Sequence, residues 1–458
     1  PRSTPDGAAR TLSKLTGRSS PVQSRGVRML ESTFKLSEHG TTVRTEVLAG
    51  ITTFLTMAYI MFVNPAILSA TGMDQGAVFV ATCLAAAVGT LIMGLYANYP
   101  IALAPGMGLN AYFTYGVVMG MNYTWQVALG AVFLSGVLFV ILSLLPVREW
   151  VVNSIPRSLK IAISAGIGLF LAIIGMKNAG IVVDHPATLV GLGDISSWPV
   201  LLAVAGFLAM VVLDYLKVPG AIILSILGVT LVGVVLGVSP PGGVMSMPPS
   251  LAPTLLQLDI VGALNVGLIA VVFAFFFVDL FDTAGTLVGV AHRAGLLDEQ
   301  GRLPRLKKAL MADSVATVVG AGLGTSTTTS YIESAAGIRA GGRTGLTACV
   351  VALLFLLGLF FSPLAGTIPA YATAPALVFV ACLMARGLSE LDWEDLTEYA
   401  PGVIAAISMP LTFSIANGIG FGFISYVVVK VLTGQASKVS PAVYVIGIAF
   451  VAKFVLIS

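Results

Sequence analysis

Apolar runs long enough to cross a membrane recur along nearly the whole chain, divided by short polar or glycine- and proline-rich stretches. They fall at about 44–64, 75–97, 101–118, 125–145, 158–177, 198–216 and 219–238. After the stretch Ser239–Pro253 they resume at about 263–290, 306–323, 326–338, 343–361, 371–387, 400–416 and 418–433. A further apolar piece, 441–457, carries Lys453 and reads as an added span or an interfacial helix. The pattern predicts an all-α polytopic membrane protein of fourteen transmembrane segments, seven on each side of the break. An odd number in each half starts the second half on the opposite face, which implies two inverted seven-segment repeats. A faint echo agrees: Ala81, Ala85, Val88 and Gly89 recur as Ala312, Ala316, Val319 and Gly320, about 231 positions later.

The third and tenth segments break the pattern. The third begins Ile101-Ala-Leu-Ala-Pro105-Gly106-Met-Gly108-Leu-Asn110, and the tenth runs from Gly324 through a row of hydroxyl residues to Tyr331, Glu333 and Gly337. Neither offers about 20 uninterrupted apolar residues, the length a simple spanning helix needs. Pro105 blocks a helix interior, and successive threonines favour extended backbone. Extended backbone at membrane depth survives only inside protein or along a cavity. Short, interrupted segments at matching places in two halves are a sequence pointer to a transporter's binding site.

Composition fixes lipid as the solvent: 57% of the residues are hydrophobic and only 10% are charged, against roughly a quarter charged in a soluble domain. Eight of the 24 Lys and Arg precede the first apolar run, without interleaved aromatics, so they read as a cytoplasmic tail rather than a nucleic-acid arm. The Ser, Gly and Pro content of residues 1–40 predicts disorder there. With the amino terminus inside, Arg148, Arg157, Lys160, Lys217, Arg293, Arg302, Arg305, Lys307, Lys308, Arg339, Arg343 and Arg386 all fall in inner loops. Lys177 is the main exception. Cys83, Cys349 and Cys382 lie in apolar runs without metal-ligand spacing and read as buried structural thiols. No Walker loop, G-x-S-x-G elbow or H-E-x-x-H motif occurs, which argues against an ATP-driven pump and common membrane hydrolases. No catalytic residue, metal or cofactor is expected.

Polar residues inside apolar runs carry the candidate chemistry. In Phe275-Phe-Phe-Val-Asp279-Leu-Phe-Asp282-Thr283-Ala-Gly-Thr286 the two acids stand three apart, on one helical face with Thr283 and Thr286. Intramembrane carboxylates are costly and functional by default, and a proton-coupled site wants this arrangement; a structural pair is the bland alternative. Glu333 sits where an extended stretch enters a half-helix, so the amides from Tyr331 to Ser334 are expected to face a cavity. Its carboxylate can accept two parallel hydrogen bonds from a heterocycle, or merely cap the break. Asn110 holds the corresponding place in the third segment, where its amide suits a neutral heterocycle or satisfies backbone at the break. Asp313 and Glu398 are placed near inner helix ends, as solvated or structural acids.

These motifs, with Thr53-Phe-Leu-Thr-Met-Ala-Tyr-Ile-Met-Phe-Val-Asn64-Pro65 and Ser414-Ile-Ala-Asn417-Gly-Ile-Gly-Phe-Gly-Phe-Ile, resemble the azaguanine-type adenine, guanine and hypoxanthine permeases. These are a branch of the nucleobase–cation symporter (nucleobase–ascorbate transporter) superfamily. The likeness runs from about residue 34 to the end. It implies the uracil-permease-like fold, with short strands in segments three and ten. It implies a core domain over residues 41–145 and 263–361 and a gate domain over 146–238 and 362–433. An outer linker would cover 239–262 and a C-terminal apolar segment 434–458. It also implies import of a purine nucleobase coupled to a proton, with Asn110, Asp279, Asp282, Thr283, Tyr331 and Glu333 around the substrate and Asp279 and Asp282 governing coupling. Uracil permeases place a glutamate and a histidine on the face where Asp279, Asp282 and Thr283 stand here, so their proton path does not transfer. Xanthine or uracil transport and anion exchange on the same fold are the alternatives. Sodium coupling and the number of copies, a homodimer included, stay open.

Overall fold

The structure is a computed structural model that describes residues 25–145, 155–264, 266–294, 296 and 303–456. The first part of the tail, residues 1–24, and the inner-loop cations Arg148 and Arg302 lie outside the described residues, as do the side chains of His292 and Arg293. Helices begin where the sequence supplies a side-chain cap. Thr42 accepts from the Thr45 amide, Asp74 from Ala77, Thr124 from Val127 and Ser414 from Asn417, each satisfying a donor that the first turn would otherwise orphan.

In chain order the helices are α1 (Arg25–Phe34), α2 (Val43–Met57), α3 (Ile60–Ser69), α4 (Gln75–Ile92), α5 (Met107–Ala111), α6 (Trp125–Leu144), α7 (Arg157–Asn178), α8 (Trp198–Tyr215) and α9 (Ala221–Val235). They continue as α10 (Val266–Ala294), α11 (Leu306–Leu323), α12 (Ser334–Arg339), α13 (Gly345–Gly358), α14 (Ala370–Ala385), α15 (Leu396–Leu411), α16 (Ile415–Leu432) and α17 (Pro441–Leu456). Every apolar run read from the sequence coincides with one or more of these elements. Eight helical stretches among the described residues are long and apolar enough to cross a membrane. Shorter apolar helical stretches among the described residues are Ala221–Val235, Val271–Leu280 and Pro441–Val455.

Four local results differ from expectation. Cys382, expected to be a buried structural thiol, is exposed. Arg25–Phe34, inside the stretch expected to be disordered, is a helix, and Phe34 and Leu36 bury against Leu346. An exposed hairpin pairs β2 (Val182–His185) with β3 (Leu189–Leu192), an addition to an otherwise helical class. Asp313 is fully buried in α11 rather than solvated near a helix end.

The two broken segments behave as the sequence predicts. Segment three contains β1 (Leu103–Pro105) and segment ten contains β4 (Thr328–Ser330), and the two strands pair antiparallel with Ala104 opposite Thr329. Both strands are buried, so their backbone groups need partners inside the protein. A threonine on the preceding helix supplies them in each half. Thr90 on α4 brackets the N–H and C=O of Leu103, and Thr317 on α11 brackets those of Thr328. The echoing small residues explain the approach of these helices, since a Cβ at Gly89 would stand 2.7 Å from the Ala316 Cβ. Gly324 ends α11 with φ +97° and abuts Thr254, a position closed to other residues by both backbone and space.

Packing sorts the helices into two groups. One contains α2–α6 with α10–α13, and the other α7–α9 with α14–α17. The first group is tied across its halves by Glu46, whose buried carboxylate accepts from the amides of Arg343, Thr344 and Thr347 and from the Thr347 hydroxyl. The second is tied by Lys430, buried and 2.7 Å from Glu398, which also accepts from Ser158 and Tyr426; this is the structural role foreseen for Glu398. Between the groups the contact is close where Gly108 of α5 lies on Ile167 of α7, with no room for a Cβ.

Candidate functional site

The crossing of β1 and β4 brings together most of the residues singled out from the sequence. Each strand feeds a short helix, α5 or α12, so the chain reverses from extended to helical at the middle of the first helix group. Around that crossing lie α2, α3, α10 and α11.

Glu333 stands at the entry to α12, where sequence reasoning put it. Its Oε1 accepts a 2.7 Å hydrogen bond from the hydroxyl of Tyr59, which emerges at the interruption between α2 and α3. The side chain remains only partly buried, so the carboxylate has oxygen capacity left for another donor. Asp282 is likewise partly accessible; its carboxylate approaches the Thr329 side chain and is near enough to Glu333 for their charges to interact. Asp282 and Glu333 are therefore two accessible acids beside the paired strands.

Asp279 points elsewhere. It is buried, and its Oδ2 accepts from the Thr317 hydroxyl of α11 at 3.2 Å. Thr283 follows it, donating at 2.8 Å to Asp313 Oδ1, which also accepts from Ser330 of β4 at 3.3 Å. The single polar face read on α10 is thus divided: Asp279 and Thr283 enter the seam with α11, while Asp282 looks toward Glu333. Thr283 is spent on Asp313 and is not free to meet a ligand.

Two further expectations change. The Tyr331 amide, expected to face a cavity, donates to the Ala102 carbonyl at 2.9 Å because it continues the strand crossing, and its hydroxyl donates to the Pro105 carbonyl at 2.6 Å. Asn110 is fully buried. Its Oδ1 accepts from Ser326 and its Nδ2 reaches the Pro105 carbonyl at 3.5 Å, so the amide pins one broken segment to the other.

Sequence reasoning missed the roles of Tyr59, Thr317 and Asp313. Tyr59 had a signal in the hydroxyl- and asparagine-bearing stretch Thr53–Asn64, but no local pattern shows which side chain it meets 274 positions away. Asp313 and Thr317 share a helical face with Ala309, Ala312, Ala316 and Gly320. An acid amid that many small residues marks a tightly packed seam rather than a solvated end.

The assembled site offers carboxylates, hydroxyls and backbone groups, and no cation: among the described residues no Lys, Arg or His makes an ion pair with Asp279, Asp282, Asp313 or Glu333. Such a site suits a neutral ligand rich in N–H donors rather than an anion.

Comparison with known proteins agrees with this chemistry. A family model described as a permease family matches residues 44–421. The chain is 50% identical over 436 residues to the adenine permease AdeP of Escherichia coli, covering 95% of this chain and 98% of that protein. It is 46% identical over 440 residues to the guanine/hypoxanthine permease PbuG of Bacillus subtilis, covering 93% and 100%. Among solved structures, the transmembrane domain of a cyanobacterial bicarbonate transporter, BicA, superposes with a TM-score of 0.64 at 15% identity, over 82% of this chain and 97% of that one; this likeness concerns the fold. With its family match, its azaguanine-permease-type motifs and its many apolar helices, this chain belongs to the permease family and is a multi-pass membrane transporter, not an enzyme.

Proposed function

We propose that this chain imports purine nucleobases (adenine, guanine or hypoxanthine) across the cell's inner membrane by proton symport. The observation that carries the reading is the Glu333 carboxylate, oriented by Tyr59 and still accessible beside Asp282 at the strand crossing. A flat neutral purine must be told from its relatives by hydrogen bonds at its edge, because apolar contacts separate similar rings poorly. Glu333 accepts from a ring N–H and an exocyclic NH₂, Asp282 takes a further donor, and Asp279 couples the proton. Asn110, Thr283 and Tyr331 act from behind the site by holding it in shape. The names of the relatives, adenine permease and guanine/hypoxanthine permease, favour purines over uracil or xanthine.

The architecture behind this reading is fourteen segments in two inverted repeats, with the amino terminus in the cytoplasm. The antiparallel strands at matching places, the bracketing threonines and the facing echo residues support the inverted halves. The first helix group would be the core and the second the gate against which it moves. Their separation in the packing, with a glycine at the close contact, supports that division.

Uptake of labelled adenine, guanine, hypoxanthine, xanthine and uracil into cells lacking their own carriers, with and without a protonophore, tests the proposal. Purines should accumulate, and the protonophore should abolish accumulation. Uracil outcompeting every purine would end the purine assignment. Anion exchange is the second reading, favoured by the shared fold with a bicarbonate transporter; the acids without cations oppose it, and bicarbonate exchange in proteoliposomes would revive it.

A further inference from the structure

The four acids of the site are sorted by the fold into two unlike pairs. Asp282 and Glu333 keep accessible surface, whereas Asp279 and Asp313 are 1% and 0% exposed. The buried two come from different helices, α10 and α11, and share one seam: Thr317, one turn after Asp313, reaches Asp279, and Thr283, one turn after Asp279, reaches Asp313. Hydroxyls reach only one oxygen of each: Thr317, whose single hydrogen is shared with the Thr328 carbonyl, lies against Asp279 Oδ2, and Thr283 and Ser330 donate to Asp313 Oδ1. Asp279 Oδ1 and Asp313 Oδ2 are buried with no donor at all. Bare carboxylates in such a seam cannot satisfy these oxygens, since neither carries a hydrogen. No cation among the described residues pairs with them, and two uncompensated like charges in a dry seam repel.

We propose that Asp279 and Asp313 together form the binding site of the coupling proton, holding one proton between them. The proposal rests on the transport reading above and adds to it Asp313, with Asp282 left to the substrate. Loaded, the pair carries one negative charge and both orphan oxygens are satisfied; emptied, it carries two charges, and the seam between α10 and α11 is pushed open. The other titratable groups facing the pair are Asp282 on the same helix and, beyond it, Glu333 and Tyr331. The connection to substrate runs through Ser330, which donates to Asp313 from β4, three residues before Glu333. Loss of the proton changes the charge that Ser330 binds and so pulls on the strand that leads to the purine carboxylate. The two acids titrate as a unit, so neither has a proton of its own.

The test uses the purified full-length protein. Infrared difference spectroscopy during acidification in H₂O and D₂O reads a protonated carboxyl C=O stretch, whether or not a purine is transported, so failure of the pair and failure of the purine reading give different results. The wild type should show one deuterium-sensitive band, altered or lost in Asp279→Asn and again in Asp313→Asn. In proteoliposomes each variant should lose at least about tenfold of accumulation driven by a pH gradient, while purine exchange without a gradient persists. The double variant should be no worse than either single one, because one proton is lost in every case. A band unchanged in Asp313→Asn, or losses that multiply in the double variant, overturns the proposal. If Asp313→Asn does not fold, Ser330→Ala removes a donor from the same carboxyl, and an unshifted band then overturns it.

Discussion

Segments three and ten share one backbone plan and divide the work between them. Each follows an 18-residue helix, forms three residues of strand and enters a short helix, and the two strands pair with each other. In segment three the strand is Leu103-Ala-Pro105, and the polar residue after it, Asn110, is fully buried and spent on Ser326 and the Pro105 carbonyl. In segment ten the strand is Thr328-Thr-Ser330, and the polar residue after it, Glu333, keeps accessible surface and one oriented oxygen. The first leaves unpartnered only the buried hydroxyls of Tyr112 and Thr114, whereas the second presents an accessible carboxylate. One break is a clasp and the other a recognition surface, so symmetry of backbone does not imply symmetry of role.

Ligand affinity measured by calorimetry on purified variants puts that contrast on a single scale. The largest effect is expected from Glu333→Gln, which keeps the size but sets an N–H against a ligand N–H. Buried groups left unpaired cost roughly 1–3 kcal/mol, or about a fivefold to 150-fold loss of purine affinity. Unaltered affinity would mean that Glu333 only shapes the break. Tyr59→Phe is expected to come next, because it frees the carboxylate to turn without removing it. A lost hydrogen bond of this kind is worth about 1 kcal/mol, near fivefold in affinity, and an effect equal to that of Glu333→Gln would point to Tyr59 as a direct ligand contact. Asn110→Ala should change affinity least, by under about threefold, since its amide is already committed to the fold. Its cost should appear in thermal stability instead, at about 1–2 kcal/mol for the stranded Ser326 and Pro105 partners. Should Asn110→Ala weaken binding tenfold while leaving stability intact, the two breaks are functionally alike and the contrast fails.

Sequence determined the course of the chain because local rules decide it. Apolar length gave the membrane segments, Pro105 and the hydroxyl run gave the two breaks, and Asp279, Asp282 and Glu333 stood out as acids where lipid forbids them. It also placed Glu333 correctly at the mouth of a half-helix, since that follows from where the extended run stops. What it left undecided was direction. Spacing put Asp279 and Asp282 on one face, yet that face is wide enough to meet two neighbours, and packing turned one acid into the α11 seam and the other toward Glu333. Asp313 read as a solvated or structural acid because burial depends on which helix covers it, and α10 is thirty residues away along the chain at Thr283. Tyr59 and Glu333, Asn110 and Ser326, and the paired strands are separated by more than two hundred residues each. A hydrogen bond is short and directional, so its partners are known only once the distant segments have been brought within a few ångströms, and that the tertiary structure alone decides.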